Sequence, residues 1–572
     1  SLQSNTTGTR NIAFGYRALD VSDDESDNLA IGYEALGGSI DGGEHNTAIG
    51  NYVLDANTTG DGNVAIGYNA MTANTTGSWN IAIGNAAGYS NTTGSYNSAI
   101  GYVALNLNTT GNYNTTFGFH SMKANTTGNE NTAVGYKALL SNTTGNYNSA
   151  FGLSTLRSNT DGEKNTASGD ESLYNNTAGN YNTASGYHSL YSNTTGDNNI
   201  AIGNSALDGA DNESHNLAIG TDALGGSING GEYNIAIGNY SLDANTTGDY
   251  NVAVGYNALT ANTTGNNNTA TGSASLVSNT TGNNNTASGR EALHRNTTGN
   301  FNTATGRHSL YFNTEGEYNT GTGYGTLYSN TTGSKNTAIG FNSLFANTEA
   351  YNNTALGFYA GDGITTGNNN VMLGYGTDPS AVDGTNQIVV GASAVGHGDN
   401  IAVIGNSNMT AIHPADDNGV DLGSSSYSYK DLYVDGTANI NTVQAANFVP
   451  TGIGDKFIEI TIEGVYGAGN VTFDLDAALG SNNTWYKLEA LAITEWDGNQ
   501  SYFNIQMDTA SSTGNQGDVD IDMQSSQSRP RLSGSENAFF LYSSNGQHEL
   551  NVNCQGRSST IKILFRVTSD WS

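Results

Sequence analysis

The sequence predicts an all-β protein: a parallel β-solenoid or β-roll rod of 17-residue coils, followed by a C-terminal β-sandwich of jelly-roll type. Three observations carry this. A unit of roughly Asn-Thr-Ala-(Ile/Ser/Thr)-Gly-x-x-(Ala/Ser)-Leu-x-x-Asn-Thr-Thr-Gly-x-(Tyr/Asn) recurs 22 times from Asn11 to about residue 378. Gly holds the fifth place of every unit. Beyond residue 455 the 17-residue register gives way to period-2 alternation. A unit this short cannot bury a core alone, so each one must be a single coil stacked on its neighbours.

The columns of the repeat assign the parts of a coil. An unbroken Gly column (Gly15, Gly32, Gly50, Gly67) marks positive φ or close backbone approach. The third column is small (Ala13, Ala30, Ala48), and the ninth is mostly Leu or Met (Leu19, Leu36, Leu54), which predicts a Leu ladder down the inside of the rod. Asn-Thr-Thr-Gly segments such as 74–77 and 91–94 have turn chemistry, with Asn and Gly tolerating left-handed geometry and Thr capping. The Asn columns are expected to hydrogen-bond between neighbouring coils. At about 4.8 Å per coil, 22 coils make a rod of roughly 105 Å.

A second level of repetition lies above the first. Residues 28–77 closely match residues 216–265, and each copy holds an 18-residue unit at the same place, so the rod reads as two tandem blocks of eleven coils. Growth by copying changes length without touching any site, which suits a spacer. The predicted organisation is a shaft at 1–378, a cap or transition at 379–410, a connector at 411–454 and a β-sandwich tip at 455–572. In the tip, Ile458, Ile460 and Ile462 alternate with polar residues, and about eight short strands follow the same pattern.

Composition narrows the function. A net charge of −33 and a pI near 4.2 argue against binding nucleic acid or anionic membranes through a basic patch. Disorder is opposed by 36% hydrophobic residues held in register and just 4 Pro. The single Cys, Cys554, forms no intrachain disulfide and falls in a strand pattern, as a buried structural thiol does. No apolar run is long enough to span a bilayer, and no signal peptide is read. Leu2 and Asn5 to Gly8 reproduce the second half of a unit, which predicts a longer natural chain.

The Asn-x-Ala-Ile-Gly-x-x-Ala unit (Asn63 to Ala70, Asn199 to Ala206) resembles the head repeat of trimeric autotransporter adhesins, a left-handed parallel β-roll. That family's unit is usually shorter. The segments Asp421 to Tyr427 and Lys430 to Thr437 look like a stretch common near the distal end of phage tail fibres. Without the β-barrel anchor or heptad stalk of a complete adhesin, the sequence fits the fibre family better. These resemblances imply a homotrimer, joined to a virion baseplate or an upstream fibre segment and presenting its tip to a host surface glycan or other receptor. The alternative is a bacterial cell-surface or extracellular adhesive fibre. Physical support for a trimer is the thin core of a 17-residue coil, which favours three rods packed along their small Ala/Gly faces.

Candidate chemistry is sparse. Asp518, Asp520 and Asp522 line one face of a strand, as a cation site or a solvated face would. Glu495 and Asp497 flank Trp496 in an expected loop; an aromatic between carboxylates suits sugar stacking, so these three are the candidate receptor-binding residues. No nucleophile triad, phosphate loop, zinc site or calcium-binding nonapeptide is present, so no catalytic residue, metal or cofactor is assigned. The reading is a non-enzymatic fibre at a virion tail or an extracellular surface. Polysaccharide degradation by paired carboxylates, or ice binding through Thr rows such as Thr269 with Thr271 and Thr303 with Thr305, are the lesser alternatives. An aromatic column before the leading Asn (Trp79, Tyr96, Tyr113, Tyr147) suits packing between coils or subunits, or stacking on glycans.

Overall fold

The computed structural model describes residues 2, 4–21 and 24–412 in full, and beyond them the backbone of eight strands between Lys456 and Thr568. The first part is a parallel β-solenoid. Its 24 three-residue strands, β1 (Ile12–Phe14) to β24 (Ala402–Ile404), form one sheet in which each strand pairs with its homologue one unit on. Ile12 sits beside Leu29, and Thr286 beside Thr303. The sheet continues past residue 378: Val371 pairs with Ile388 at the usual step of 17, and Ile388 with Ala402 after a shorter step of 14.

Coils are tied together on every side. Outside the strand, Met71 N donates to Ala87 O at 2.9 Å, Thr75 N to Thr92 O at 2.8 Å and Trp79 N to Asp61 O at 2.8 Å. Within a coil, Asn74 N donates to Met71 O at 3.1 Å and closes a four-residue turn. A turn-rich chain is thus stabilised mainly by its neighbours, as a repeat whose units cannot stand alone requires.

Two buried Asn ladders tie the coils together, one along the first column and one in the twelfth column from Asn57 to Asn193 and again from Asn245 to Asn347. In the first column, Asn63 Nδ2 donates to Gly77 O at 2.9 Å, and both its backbone N and Nδ2 donate to Asn46 Oδ1 in the coil before, at 3.0 and 3.1 Å. In the twelfth column, Asn74 Nδ2 donates to Asn57 Oδ1 at 2.8 Å and to that same Gly77 carbonyl at 2.9 Å. Both side chains are fully buried, so each of these bonds satisfies a group that water cannot reach. Where the twelfth column breaks, the cost is visible: Ala210 and Ile364 follow Asn193 and Asn347, and the Oδ1 of each of those Asn has no partner. Beside Ala210 a buried carboxylate takes over, with Glu213 accepting from Asp211 N, Asn212 N and Gly230 N at 2.8, 3.1 and 2.7 Å.

The Leu ladder stands inside as the sequence predicts, with Leu19, Leu36 and Leu54 wholly buried. Their backbone is unexpected, because they sit at φ of 49°, 48° and 50°. Asn-Thr-Thr-Gly lies at a turn as its composition predicts, but without using the left-handed region, which the seventh, ninth and seventeenth columns occupy, while the fifth-column Gly also take positive φ. A left-handed L-residue costs roughly 1–2 kcal/mol. Burying a Leu side chain returns about 1.5–3 kcal/mol, enough to hold a corner that turns the ladder inward. Gly77 is required for room: a Cβ there would lie 2.3 Å from Gly94 O. Gly67 needs both, with φ of 138° and a Cβ that would meet Gly84 O at 2.4 Å.

The expected packing of rods along Ala faces is also overturned. Ala30 and Ala48 are wholly buried in the chain's own core and Ala13 packs against it, since the middle residue of each strand points inward. The residues from His413 on form a separate compact unit. In it β25 (Lys456–Ile462), β26 (Asn470–Asp474), β27 (Lys487–Trp496), β28 (Asn499–Asp508), β29 (Val519–Asp522), β30 (Asn537–Ser544), β31 (Gln547–Cys554) and β32 (Thr560–Thr568) pair antiparallel. They make a five-stranded sheet, β25-β32-β27-β28-β29, and a three-stranded one, β26-β31-β30.

Replacing Asn108 by Ala strands Asn91 Oδ1 and removes the acceptor of Asn125 Nδ2. At about 1–3 kcal/mol per buried unpaired group, the variant is expected to lose roughly 2–4 kcal/mol in urea unfolding. An unchanged midpoint would remove the ladder from the account of stability.

Candidate interaction surface

Alternation inside the coil decides what faces out. Around each strand, the first and third columns are buried, while the seventeenth column of the unit before and the second, fourth and sixth columns point outward. Along Tyr96 to Tyr102 the pattern is visible: Asn97 and Ala99 are buried, and Tyr96 and Tyr102 stand 51% and 48% exposed. Stacked coil on coil, these four columns form a continuous strip.

The strip is apolar over long stretches. Phe117 is 55% exposed, and Ile200 and Ile202 are 40% and 42% exposed. Its two edges are aromatic ladders. In the seventeenth column Tyr96 and Tyr113 stack with ring centroids 4.9 Å apart, and Phe301 and Tyr318 5.0 Å apart. In the sixth column Tyr102, Phe119 and Tyr136 form one stack, and Tyr324, Phe341, Phe358 and Tyr375 another. The aromatic column of the sequence therefore packs ring on ring within the chain and still leaves the rings half exposed. The matching sixth column was not singled out from sequence; the signal was there, since Tyr or Phe follows the invariant Gly in many units.

Charge on the strip differs from the rest of the chain. Its four columns carry five cations (Arg10, Lys164, Arg290, Arg307, Lys335) and three anions (Asp27, Glu130, Asp170), against a net −33 for the whole protein. Two hydroxyl windows interrupt it, at Thr166, Ser168, Thr183 and Ser185 and again over four adjacent strands from Thr269 to Thr322. Thr269 with Thr271 and Thr303 with Thr305, separated in sequence, thus belong to one array.

The remaining faces carry electrostatics of a structural kind. Asp55, Asp208, Asp243 and Asp362 share the tenth column, where burial pushes each carboxyl above its ordinary value. Glu291 moves the other way: burial raises it, but hydrogen bonds from Arg290 and His308 outweigh that and leave it lowered. The sequons of the Asn-Thr-Thr segments lie in the twelfth column, where Asn74, Asn108 and Asn142 are wholly buried and their Nδ2 groups already donate two hydrogen bonds each. The folded rod leaves no room for a glycan on them.

Of the candidate receptor-binding residues, Glu495 and Trp496 lie at the end of a strand, paired with Gln500 and Asn499 on the next, so they are not in the expected loop. Asp497 lies outside the described residues, as does Asp518, while Asp520 and Asp522 are on the strand Val519–Asp522. Among the described residues no group of His, Cys, Asp or Glu is arranged to hold a metal ion. Among the described residues no helix is long and apolar enough to cross a membrane. The fold and surface define a β-solenoid repeat protein with an exposed apolar strip. No family model matches the chain, nor does any curated protein or solved structure match it significantly.

The raised tenth-column carboxyls bind a proton more readily folded than unfolded. Their contribution is complete below the unfolded carboxyl value near 4 and is lost as pH rises through the folded values. Asp243→Asn is therefore expected to be more stable than the parent at pH 7 and to gain less on acidification toward pH 5. Equal pH dependence of parent and variant in thermal unfolding would contradict this.

Proposed function

We propose that this protein is a non-enzymatic fibre, most like a viral tail fibre, whose solenoid shaft assembles as a homotrimer and projects a C-terminal receptor-binding tip. The observation that carries the reading is the exposed apolar strip. A strip of about 4.8 Å per coil and at most roughly 20 Å wide offers up to about 2,000 Å² per copy, well above the ~800 Å² per partner of a stable interface. Even with its hydroxyl windows set aside, the strip exceeds the few hundred Å² of contiguous apolar surface usual on a soluble monomer, and such a patch marks a surface that is covered in use. The near-balanced charge of the strip lets copies of a very acidic chain meet there, while the acids elsewhere keep the assembled rod from bundling.

Trimerisation supports a display role, because three tips gain avidity from weak single sites. The tip is read as a jelly-roll-like β-sandwich that binds a surface carbohydrate, with Glu495, Trp496 and Asp497 as the contact residues. A virion baseplate or an upstream fibre segment would hold the other end. An adhesive fibre of a bacterial surface has the same shaft logic and differs in what anchors it. A second reading, exclusive of assembly through that part of the strip, is ice binding, favoured by the four adjacent Thr and Ser rows from Thr269 to Thr322. Absence of thermal hysteresis would remove that use.

Light scattering on the purified chain is expected to give three times the 59.4 kDa chain mass, and the quadruple variant Ile81→Ser, Ile83→Ser, Ile200→Ser, Ile202→Ser should shift it toward monomer with its far-UV spectrum retained. A monomeric parent would sink the assembly. For the tip, Trp496→Ala is expected to lower binding to host cells or arrayed glycans at least tenfold without changing the mass of the assembly. Undiminished binding would move the receptor site elsewhere.

A further inference from the structure

Resting on that assembly, we infer that the two edges of the strip pair with each other between copies, coil for coil, in a parallel and unstaggered ring. The edges are the seventeenth and sixth columns, and each coil carries one residue of each. In several coils their identities are complementary. Lys164 and Asp170 stand on opposite edges of the same coil, both exposed. Within the chain Lys164 Nζ reaches Tyr181 Oη at 2.7 Å, and Asp170 accepts from Leu153 N at 3.2 Å, so neither charge meets the other. Phe301 is matched by Arg307, and Lys335 by Phe341, each a cation across from an aromatic face. Tyr96 is matched by Tyr102, and Tyr181 by Tyr187. No coil places like charges on both edges.

Symmetry converts this matching into an arrangement. In a parallel ring each copy turns one edge to one neighbour and the other edge to the next, so the seventeenth column of one copy lies beside the sixth column of another. With no stagger, Lys164 meets Asp170 of the neighbouring copy, and cations meet rings. In an antiparallel pair, like edges meet with the coil order reversed, and the matching is lost. A stagger of one coil is also penalised, since it carries Lys164 off Asp170 and sets the hydroxyl rows of one copy against Phe or Ile of another, leaving buried hydroxyls unpaired. Complementary edges thus fix direction and register, while the apolar columns between them supply the driving force.

Cysteine cross-linking tests this in a Cys554→Ser background. On one chain positions 164 and 170 are roughly 15–20 Å apart along an extended segment, far beyond disulfide reach. The double variant Lys164→Cys, Asp170→Cys is expected to oxidise to covalent oligomers of the native copy number. The pair Lys164→Cys, Leu153→Cys, which reports a one-coil stagger, should remain uncross-linked. In parallel, Lys164→Asp or Asp170→Lys alone should weaken assembly about tenfold and the double swap should recover it. Oligomers that form yet cross-link at the staggered pair, or at neither, overturn the edge pairing and leave self-association standing. A parent chain that is monomeric overturns both.

Discussion

Everything in the shaft depends on the fixed axial spacing that lets a coil hydrogen-bond to the coils above and below it. A 17-residue coil with one three-residue strand has too little regular structure and too small a core to persist alone. Stacked, its turns find backbone partners one unit away, and its buried Asn side chains satisfy carbonyls and each other. The ladders enforce the repeat as well as stabilising it. A residue with no amide at the twelfth column leaves a buried oxygen unpaired, as at Asn193 and Asn347, and beside Ala210 the buried Glu213 carboxylate accepts from nearby backbone N–H groups. The same dependence explains Leu residues held at positive φ: a corner unfavourable in an isolated chain is tolerated where it drives a large side chain into a continuous core.

That stacking also makes a surface. Because the strand alternates inward and outward, the inward columns are narrow, with Ala, Asn and Gly filling a thin core, and larger apolar side chains are left outside. Aromatic rings half exposed in single coils become ladders when coils repeat at about 4.8 Å, close to the distance at which rings stack. A strip so produced is costly to leave in water, and its modest, mixed charge sets it apart from an otherwise acidic chain. The hydroxyl windows and the matched edges give it pattern along its length, which a uniform greasy face would not have.

Internal and external uses of Asn show how context decides chemistry. In Asn-Thr-Thr the amide is a glycosylation signal by sequence and a buried structural bond by fold. The acids divide in the same way. Those of the tenth column are half-buried and resist ionisation, whereas Asp27 beside Arg10 is held below its ordinary value by that hydrogen bond.

Period, coil number over most of the shaft, the Leu ladder and the role of Asn at the corners were determined by the sequence alone. They follow from local repetition: a residue type recurring every 17 positions must recur at the same point of a stacked coil. The structure decided what repetition cannot express. Ala13, Ala30 and Ala48 look like a contact face in one dimension, but the strand's pleat turns them inward and sends their neighbours out. Positive φ fell on Leu19 and its homologues as well as on the fifth-column Gly, because closure of the coil, a property of all 17 residues together, fixes where the chain must bend. The sixth and seventeenth columns both stand exposed, on either side of the strand, for that same reason. Glu495 and Trp496 end a strand that pairs with Gln500 and Asn499 close by in sequence, where Asp-Gly is a hairpin signal, whereas the partnership of that strand with Thr560–Thr568 lies beyond any short window.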